Sequence, residues 1–266
     1  MNIIVCVKEI RDPEMPADQF KIDPIRNRAD ISGSVPPVIN PFDEQAVEAA
    51  LRIKDALGAK ITILSLGNNL HPEVVKKPLT MGADDLILLE DDAFADGDSC
   101  STANALAAAI KKIGDYDLIL CGRQAADWDA GQVGSGIAEI LGLPSVTTAR
   151  KIEIIGGKAK VERVVANGYE FIEVVLPALI TVSNEIGQPR YAILERIIET
   201  AKKQPTTWRP ADIGIDPSTT GGKGRRLKLL KLFQPIRESK CEIIEGETLE
   251  EAGINLAVKL RESKIL

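Results

Sequence analysis

Histidine is almost missing from this chain. Among 266 residues there is one, His71. A Ser-His-Asp triad, a zinc site built on several histidines or a two-histidine iron site would all have to run through it. His71 precedes Pro72 at the start of a helical pattern and reads as a surface or capping residue. Cysteine is scarce too. Cys6, Cys100, Cys121 and Cys241 lie far apart with no C-x-x-C spacing, which points to reduced thiols in a cytoplasmic protein and not to a disulfide framework. No apolar run approaches the roughly 18–20 residues that a membrane span needs. The first residues, MNIIVCVKEI, run straight into a strand without the charged n-region and long apolar core of a signal peptide. Positive charge is not in excess: 33 Lys+Arg against 39 Asp+Glu leave a formal net charge of -6, which argues against a nucleic-acid binder. The G-x-G-x-x-G loop of the usual nicotinamide dehydrogenases and the G-x-x-x-x-G-K-[ST] loop of P-loop NTPases are both absent. What remains is a chain long enough to bury roughly 70–75% of its unfolded surface without a disulfide or metal. If it does chemistry, a bound group supplies the reactive atoms.

The first half alternates between two periods. Ile3–Lys8, Lys60–Leu66, Asp85–Leu89 and Asp117–Cys121 are short apolar runs of strand length, the form taken by strands buried on both faces of a parallel sheet. Helical patterns lie between them. Asn40 reads as an N-cap followed by Pro41 at the first helical position, and the helix runs to about Leu57 with Ala46, Ala50, Ile53 and Leu57 on one face and Gly58 as its stop. Further helices are expected within Pro72–Met81, over about Ser101–Ile113 and over about Gly131–Leu141. This order implies an α/β fold with a Rossmann-like, doubly wound, mostly parallel sheet and right-handed crossovers. Past Pro144 the pattern changes. Lys151–Ile155, the Gly156-Gly157 turn, Lys158–Ala166, the Asn167-Gly168 turn and Tyr169–Leu176 read as a β-hairpin extension, followed by a short strand at Ile180–Val182. Beyond Ser183 the chain is polar and irregular, with helical patterns over Tyr191–Lys203 and about Leu249–Leu260. The division expected is a nucleotide-binding core over 1–183 and a C-terminal arm over 184–266, too poor in apolar surface for a core of its own.

In such a sheet, ligands bind beyond the carboxyl ends of the strands. The loops there are Val7-Lys8, Asn40-Pro41-Phe42-Asp43, Ser65-Leu66-Gly67, Asp96-Gly97-Asp98-Ser99 and Gly122–Asp129 leading to Gly131-Gln132-Val133-Gly134. The last is the most informative. Its glycines permit close backbone approach, and the helix start offers free N–H groups and the positive end of a dipole, which suits a phosphate or pyrophosphate. Arg123 adds a charged donor, and Gln124 and Gln132 are placed to read ribose or base edges. Spacing alone also allows a loop whose aspartates cap the next helix. The acidic cluster Glu90, Asp91, Asp92, Asp96 and Asp98 lacks EF-hand spacing and reads as a solvated loop rather than a calcium site. The basic run from Lys223 to Lys231 reads as a solvated face or contact rim.

Several of these stretches together resemble one family. VCVK at Val5–Lys8, NPFDEQAVEAALRIK at Asn40–Lys54, MGAD at Met81–Asp84, GRQAADWDAGQVG at Gly122–Gly134, VERVVANGYEFIEVVLPALITV at Val161–Val182, NEIGQPRYAIL at Asn184–Leu194 and DIGIDP at Asp212–Pro217 resemble the β subunit of electron-transfer flavoproteins, over essentially the whole chain. The resemblance implies a heterodimer with an α subunit that carries the electron-transferring FAD. In the β subunit it implies a nucleotide held by Cys6, Val7, Asn40, Pro41, Phe42, Asp43, Leu66, Asp98, Ser99, Gly122, Arg123, Gln124, Ala125, Asp127, Trp128, Asp129, Gly131, Gln132 and Val133. That nucleotide is AMP, structurally, or a second FAD in electron-bifurcating members. Arg123, Gln132-Val133-Gly134 and Asp96–Ser99 resemble the bifurcating group and favour FAD. Trp128 and Ala130 stand where that group usually has Gly and Thr. Trp128 is suited to stacking on a flavin or adenine ring, to blocking the nicotinamide path, or to packing against the α subunit. Leu194, after Pro189-Arg190-Tyr191, matches the anchor that enters a pocket on a partner dehydrogenase of the acyl-CoA type, and Glu170 matches a glutamate that modulates partner contact. The family implies no catalytic side chain and no metal in this subunit, with NADH left open as a further partner. Two competing readings stand beside this one: an ATP-binding stress-type protein on the same sheet, and a structural subunit with no ligand.

Overall fold

Continuous apolar runs become strands packed on both faces. In a computed structural model, described for residues 1–17, 19–25, 27–29, 35–235 and 241–265, the strands of the main sheet are β1 (Asn2–Val7), β2 (Lys60–Gly67), β3 (Asp85–Glu90), β4 (Leu118–Gly122), β5 (Ser145–Ile155), β6 (Lys158–Val165), β7 (Gly168–Val175), β8 (Ala178–Val182) and β9 (Thr206–Trp208). They form one nine-stranded sheet in the order β7-β6-β5-β8-β4-β1-β2-β3-β9. The run from β8 to β9 is parallel throughout, and β5-β6-β7 add an antiparallel meander at one edge. The chain steps outward from β1 through β2 to β3, then returns to β4 on the other side of β1. The topological switch point therefore lies between β1 and β4, where an open sheet leaves its ligand crevice.

Alternate strand residues serve opposite layers. Ile3, Val5 and Val7 join Ile61, Ile63, Leu118, Leu120 and Ile180 against helix α1 (Pro41–Leu57), which supplies Ala46, Ala50, Leu51 and Ile53. Ile4 and Cys6 join Leu64, Ile119, Cys121 and Leu179 against α4 (Ser99–Ile113) and α5 (Val133–Leu141). The alanines at 103, 105, 107 and 109 of α4 are all buried and let that helix approach closely. Each fully buried isoleucine or leucine contributes on the order of 1.5–3 kcal/mol. Leu57, expected on the core face of α1, is instead 56% exposed, because the helix ends there and Gly58 turns the chain away at φ 72°.

Several boundaries differ from expectation. The helix expected within Pro72–Met81 is two short helices, α2 (Pro72–Val75) and α3 (Lys77–Met81), because Pro78 has no N–H to continue the first one. Helix α5 starts at Val133 rather than Gly131, whose φ is +63°. β5 begins six residues before the expected Lys151: Ser145-Val146 pair in parallel with β8, and the strand then passes an irregularity near Thr148, at φ 56°, into the antiparallel meander. β9 lies in the stretch read as irregular and closes the far edge through Thr206↔Ile87 to Trp208↔Leu89. Helix α6 (Leu194–Lys202) starts three residues after Tyr191.

The chain divides into two compact units, Met1–Lys21 with Ala29–Leu230, and Ile22–Arg28 with Lys231–Leu266. In the first, Ile186, Thr200, Ile213 and Thr220 are buried, so residues beyond 183 pack within it. In the second, α7 (Leu249–Glu262) is N-capped by Thr248, whose hydroxyl accepts from the Glu251 N–H at 3.2 Å. Lys259 pairs with Glu242 at 2.7 Å, and no residue of α7 is buried. No described helix is long and apolar enough to cross a membrane.

Candidate functional site

The carboxyl ends of β1 and β4 meet at Asp43. This residue sits in the first turn of α1 and is buried. Its Oδ2 accepts the Lys8 N–H at 2.8 Å, and its Oδ1 accepts the Gly122 N–H at 3.0 Å. One carboxyl thereby ties the strand ends on both sides of the switch point. Burial pushes its pKa up to about 7, while the Asn40 side chain, the Lys8 and Gly122 N–H groups and the Lys8 charge pull the other way. Beneath it, Cys6 and Cys121 are directly paired in register on β1 and β4. Hydrogen bonding to Cys6, burial and the neighbouring charge of Asp43 push the Cys121 thiol well up.

Asn40 stands at the N-cap position of α1, where the sequence expects a cap. Its side chain makes no cap bond to α1. It spans the crevice instead: Nδ2 donates to the Gln124 carbonyl at 2.8 Å and Oδ1 accepts from the Ala126 N–H at 3.1 Å. The Asn40 N–H donates to the Lys8 carbonyl at 2.9 Å. Lys8 Nζ pairs with Asp127 at 2.7 Å, and Gln124 Nε2 donates to Asp129 at 2.8 Å. The loop after β4 is thus tied to α1 and to the end of β1 by the chain's own side chains. The aspartates of this loop do not cap α5. Its N-cap is Gln132, with no side-chain cap bond, so the first-turn N–H groups and the positive dipole end are left for an anion.

Arg123 is the cation of the site. Its N–H bonds the Val182 carbonyl at 2.9 Å, its guanidinium lies 4.8 Å from the Phe42 ring centroid, and its Nε is buried without a hydrogen-bond partner. A buried orphan donor beside a crevice is a place for a ligand acceptor. Trp128 is 60% exposed on the same loop, an open aromatic face. Gly134, in the first turn of α5, has no room for a side chain, since a Cβ would come within 2.7 Å of Thr181 Cγ2.

The other expected residues lie elsewhere or serve other ends. Leu66 stands near the end of β2, half-buried. Asp98 caps α4 through the Ser101 N–H at 2.9 Å, Ser99 opens that helix, and the other Asp98 oxygen accepts from Arg226 and Leu227. Partial burial disfavours the Asp98 carboxylate, but N–H donation from Ser101, Leu227 and Arg226 outweighs it and holds the carboxyl below its ordinary range. Glu170 lies on the exposed meander, 3.4 Å from Arg163. Tyr191 and Leu194 are 94% and 70% exposed. They stand out because Arg190 just before them is fastened, with Nε 2.8 Å from the buried Glu48 and Nη2 2.8 Å from Asp55. Burial opposes ionisation of Glu48, but Arg190 and Arg52 outweigh it and lower its pKa. His71 pairs through Nδ1 with Glu9 at 2.8 Å and makes no cap bond. Among the described residues no cluster of three or more His, Cys, Asp or Glu is placed to hold a metal ion.

Lys8, which flanks the site through Asp127, enters the sequence reading only as the end of the first strand and carries no site role there, because a lysine after a strand has no signal of its own. Ser183 and Glu185 were missed as well. The Ser183 hydroxyl bonds the Glu185 carboxylate, and that bond leads the causes that lower the Glu185 pKa, with Arg123 and Arg150 adding charge.

A doubly wound, mostly parallel sheet with helices on both faces and an uncapped helix start, a cation and an open aromatic around its switch point defines a Rossmann-like α/β protein. Comparison narrows the class. Residues 32–213 match the family model described as electron transfer flavoprotein domain. The chain is 39% identical over 267 residues, covering 100% of both chains, to the electron transfer flavoprotein subunit beta of Thermoanaerobacterium thermosaccharolyticum. It is equally 39% identical over 267 residues, again covering 100% of both, to the caffeyl-CoA reductase-Etf complex subunit CarD of Acetobacterium woodii. It is 33% identical over 275 residues, covering 100% of this chain and 96% of the relative, to protein FixA of Azorhizobium caulinodans. The chain belongs to the electron transfer flavoprotein family, on the β-subunit side.

Proposed function

We propose that this chain pairs with an electron-transfer flavoprotein α subunit, holds FAD in its switch-point crevice, and with that partner passes electrons between a flavin dehydrogenase of the acyl-CoA type and an acceptor. The observation that carries the reading is the crevice: a loop tied by the chain's own side chains, an uncapped helix start and the orphan Nε of Arg123 gathered around the ends of β1 and β4. FAD supplies the redox chemistry when bound. The chain's residues hold and orient it. The start of α5 faces the phosphates, Arg123 donates to an acceptor on the nucleotide, and Trp128 offers a ring face. The relative named as a subunit of a caffeyl-CoA reductase complex supports a CoA-thioester context for the partner enzyme. In this reading Tyr191 and Leu194 meet the dehydrogenase, Glu170 tunes partner contact, and the exposed face of the segment from Asn184 onward meets partner subunits in the cytoplasm.

AMP is the competing occupant, since adenine and phosphate contacts serve both molecules. Nucleotide extraction from the purified heterodimer decides between them. Two FAD per pair supports FAD in this chain and opens the way to flavin-based bifurcation, with NADH as an electron donor. One FAD with one AMP overturns the FAD reading, and no nucleotide beyond that of the α subunit overturns the crevice assignment. Arg123→Ala should lower occupancy of this second site at least tenfold in equilibrium dialysis.

A further inference from the structure

We propose that Asp43 is a positioning residue of the switch-point crevice: its carboxylate, and not its acid form, holds the ends of β1 and β4 at the separation a nucleotide needs, so that nucleotide affinity is proton-linked. The inference rests on the reading of the crevice as a nucleotide site. Its basis is the geometry of a single carboxyl. Each Asp43 oxygen already faces an N–H donor, Lys8 at 2.8 Å on one side and Gly122 at 3.0 Å on the other. A proton on either oxygen takes up one of its lone pairs and removes its charge, so the acid form accepts the N–H on that side more weakly and holds one strand end less firmly. The clamp has no slack. A Cβ on Gly122 would lie 2.4 Å from Asp43 Oδ1 and 2.7 Å from the Phe42 carbonyl carbon. The two N–H groups it holds stand at the ends of the strands flanking the crevice, Lys8 just past β1 and Gly122 closing β4, and both lead into the site: Lys8 pairs with Asp127, and Gly122 is followed by Arg123.

The titratable and charged groups around Asp43 come from three elements. β1 contributes Cys6 with Lys8 just beyond it, β4 contributes Cys121 with Arg123 just beyond it, and Asp127 of the following loop is bound to the Lys8 ammonium. The Cys121 thiol is pushed upward, away from neutrality, whereas the Asp43 carboxyl is brought to about 7. Of Asp43 and Cys121, Asp43 is the one brought toward neutral pH.

The test uses the full chain in its heterodimer, with AMP and FAD as the probes. Affinity for each is measured at pH 6 and pH 8, while the Lys8 and Gly122 amides, labelled selectively with nitrogen-15, are followed by NMR over the same range. The wild type should bind at least fivefold more weakly at pH 6 than at pH 8, and both amides should shift together with a midpoint near 7. In Asp43→Asn, which keeps one acceptor, the affinity should be low at both pH values and differ by less than twofold, with neither amide titrating. Wild-type amides that do not titrate, or an Asp43→Asn profile that follows the wild type, overturn the proposal. If the variant does not fold, the wild-type amide titration alone decides. If no nucleotide binds at pH 8, the nucleotide reading fails, and the clamp still stands or falls on the amides.

Discussion

At the scale of single residues, Asp43 and Gly122 are matched parts. Burying a carboxyl between two strand ends costs stability whenever it is ionised. Its pKa of about 7 in the folded chain exceeds the ordinary 3.8, so the folded state holds more protons between those values. The contribution of this group to stability is full below about pH 4 and declines as pH rises through 7. The difference in unfolding free energy between the wild type and Asp43→Asn should therefore fall by on the order of 2–4 kcal/mol from pH 5 to pH 8. Urea titrations at a series of pH values measure it, and a constant difference would contradict the assignment. Arg190 makes a second residue-scale case. Removing it leaves the buried Glu48 with Arg52 alone. Arg190→Ala should cost about 1–3 kcal/mol in urea and loosen the display of Leu194. Leu194→Ala, by contrast, should leave stability and subunit assembly unchanged while slowing electron transfer from the dehydrogenase in stopped-flow measurements.

At the scale of elements, α5 depends on closeness. Gly134 lets its first turn sit against Thr181, and Gly134→Ala would place a methyl 2.7 Å from the Thr181 side chain. The helix must move away, so the variant should lose both thermal stability and nucleotide occupancy. Retention of both in a melting scan with nucleotide analysis would show that α5 does not set the crevice wall. Elements of this kind separate what could be read in advance from what could not. β1 to β4 and α1 were legible because unbroken apolar runs and a Pro-led, Gly-stopped helix carry strong local signals. β9 was not, because Thr206–Trp208 is a strand only by virtue of the edge that β3 offers it. The early start of β5 was hidden by Thr147-Thr148, whose strand pairing is decided by β8. In the crevice, the loops were identified from position in a parallel sheet, yet the cross-links that shape them, Asn40 to the Gln124 carbonyl and Lys8 to Asp127, join residues more than 80 positions apart. No local pattern encodes them.

At the scale of the molecule, polar work and apolar packing are divided between the two ends of the same strands. The centre of β1 and β4 is fully buried, and their carboxyl ends open into the site. Resistance to chemical modification should follow the same division. Cys6 and Cys121 lie side by side, buried one residue before the ends of β1 and β4, Cys100 is partly covered, and Cys241 is exposed. A thiol reagent added to the native protein should label Cys241 within seconds and the paired cysteines only when the sheet opens. The slow phase of that reaction is then a clock for the separation of β1 from β4, readable without any added probe, and it should run more slowly once a nucleotide bridges the strand ends.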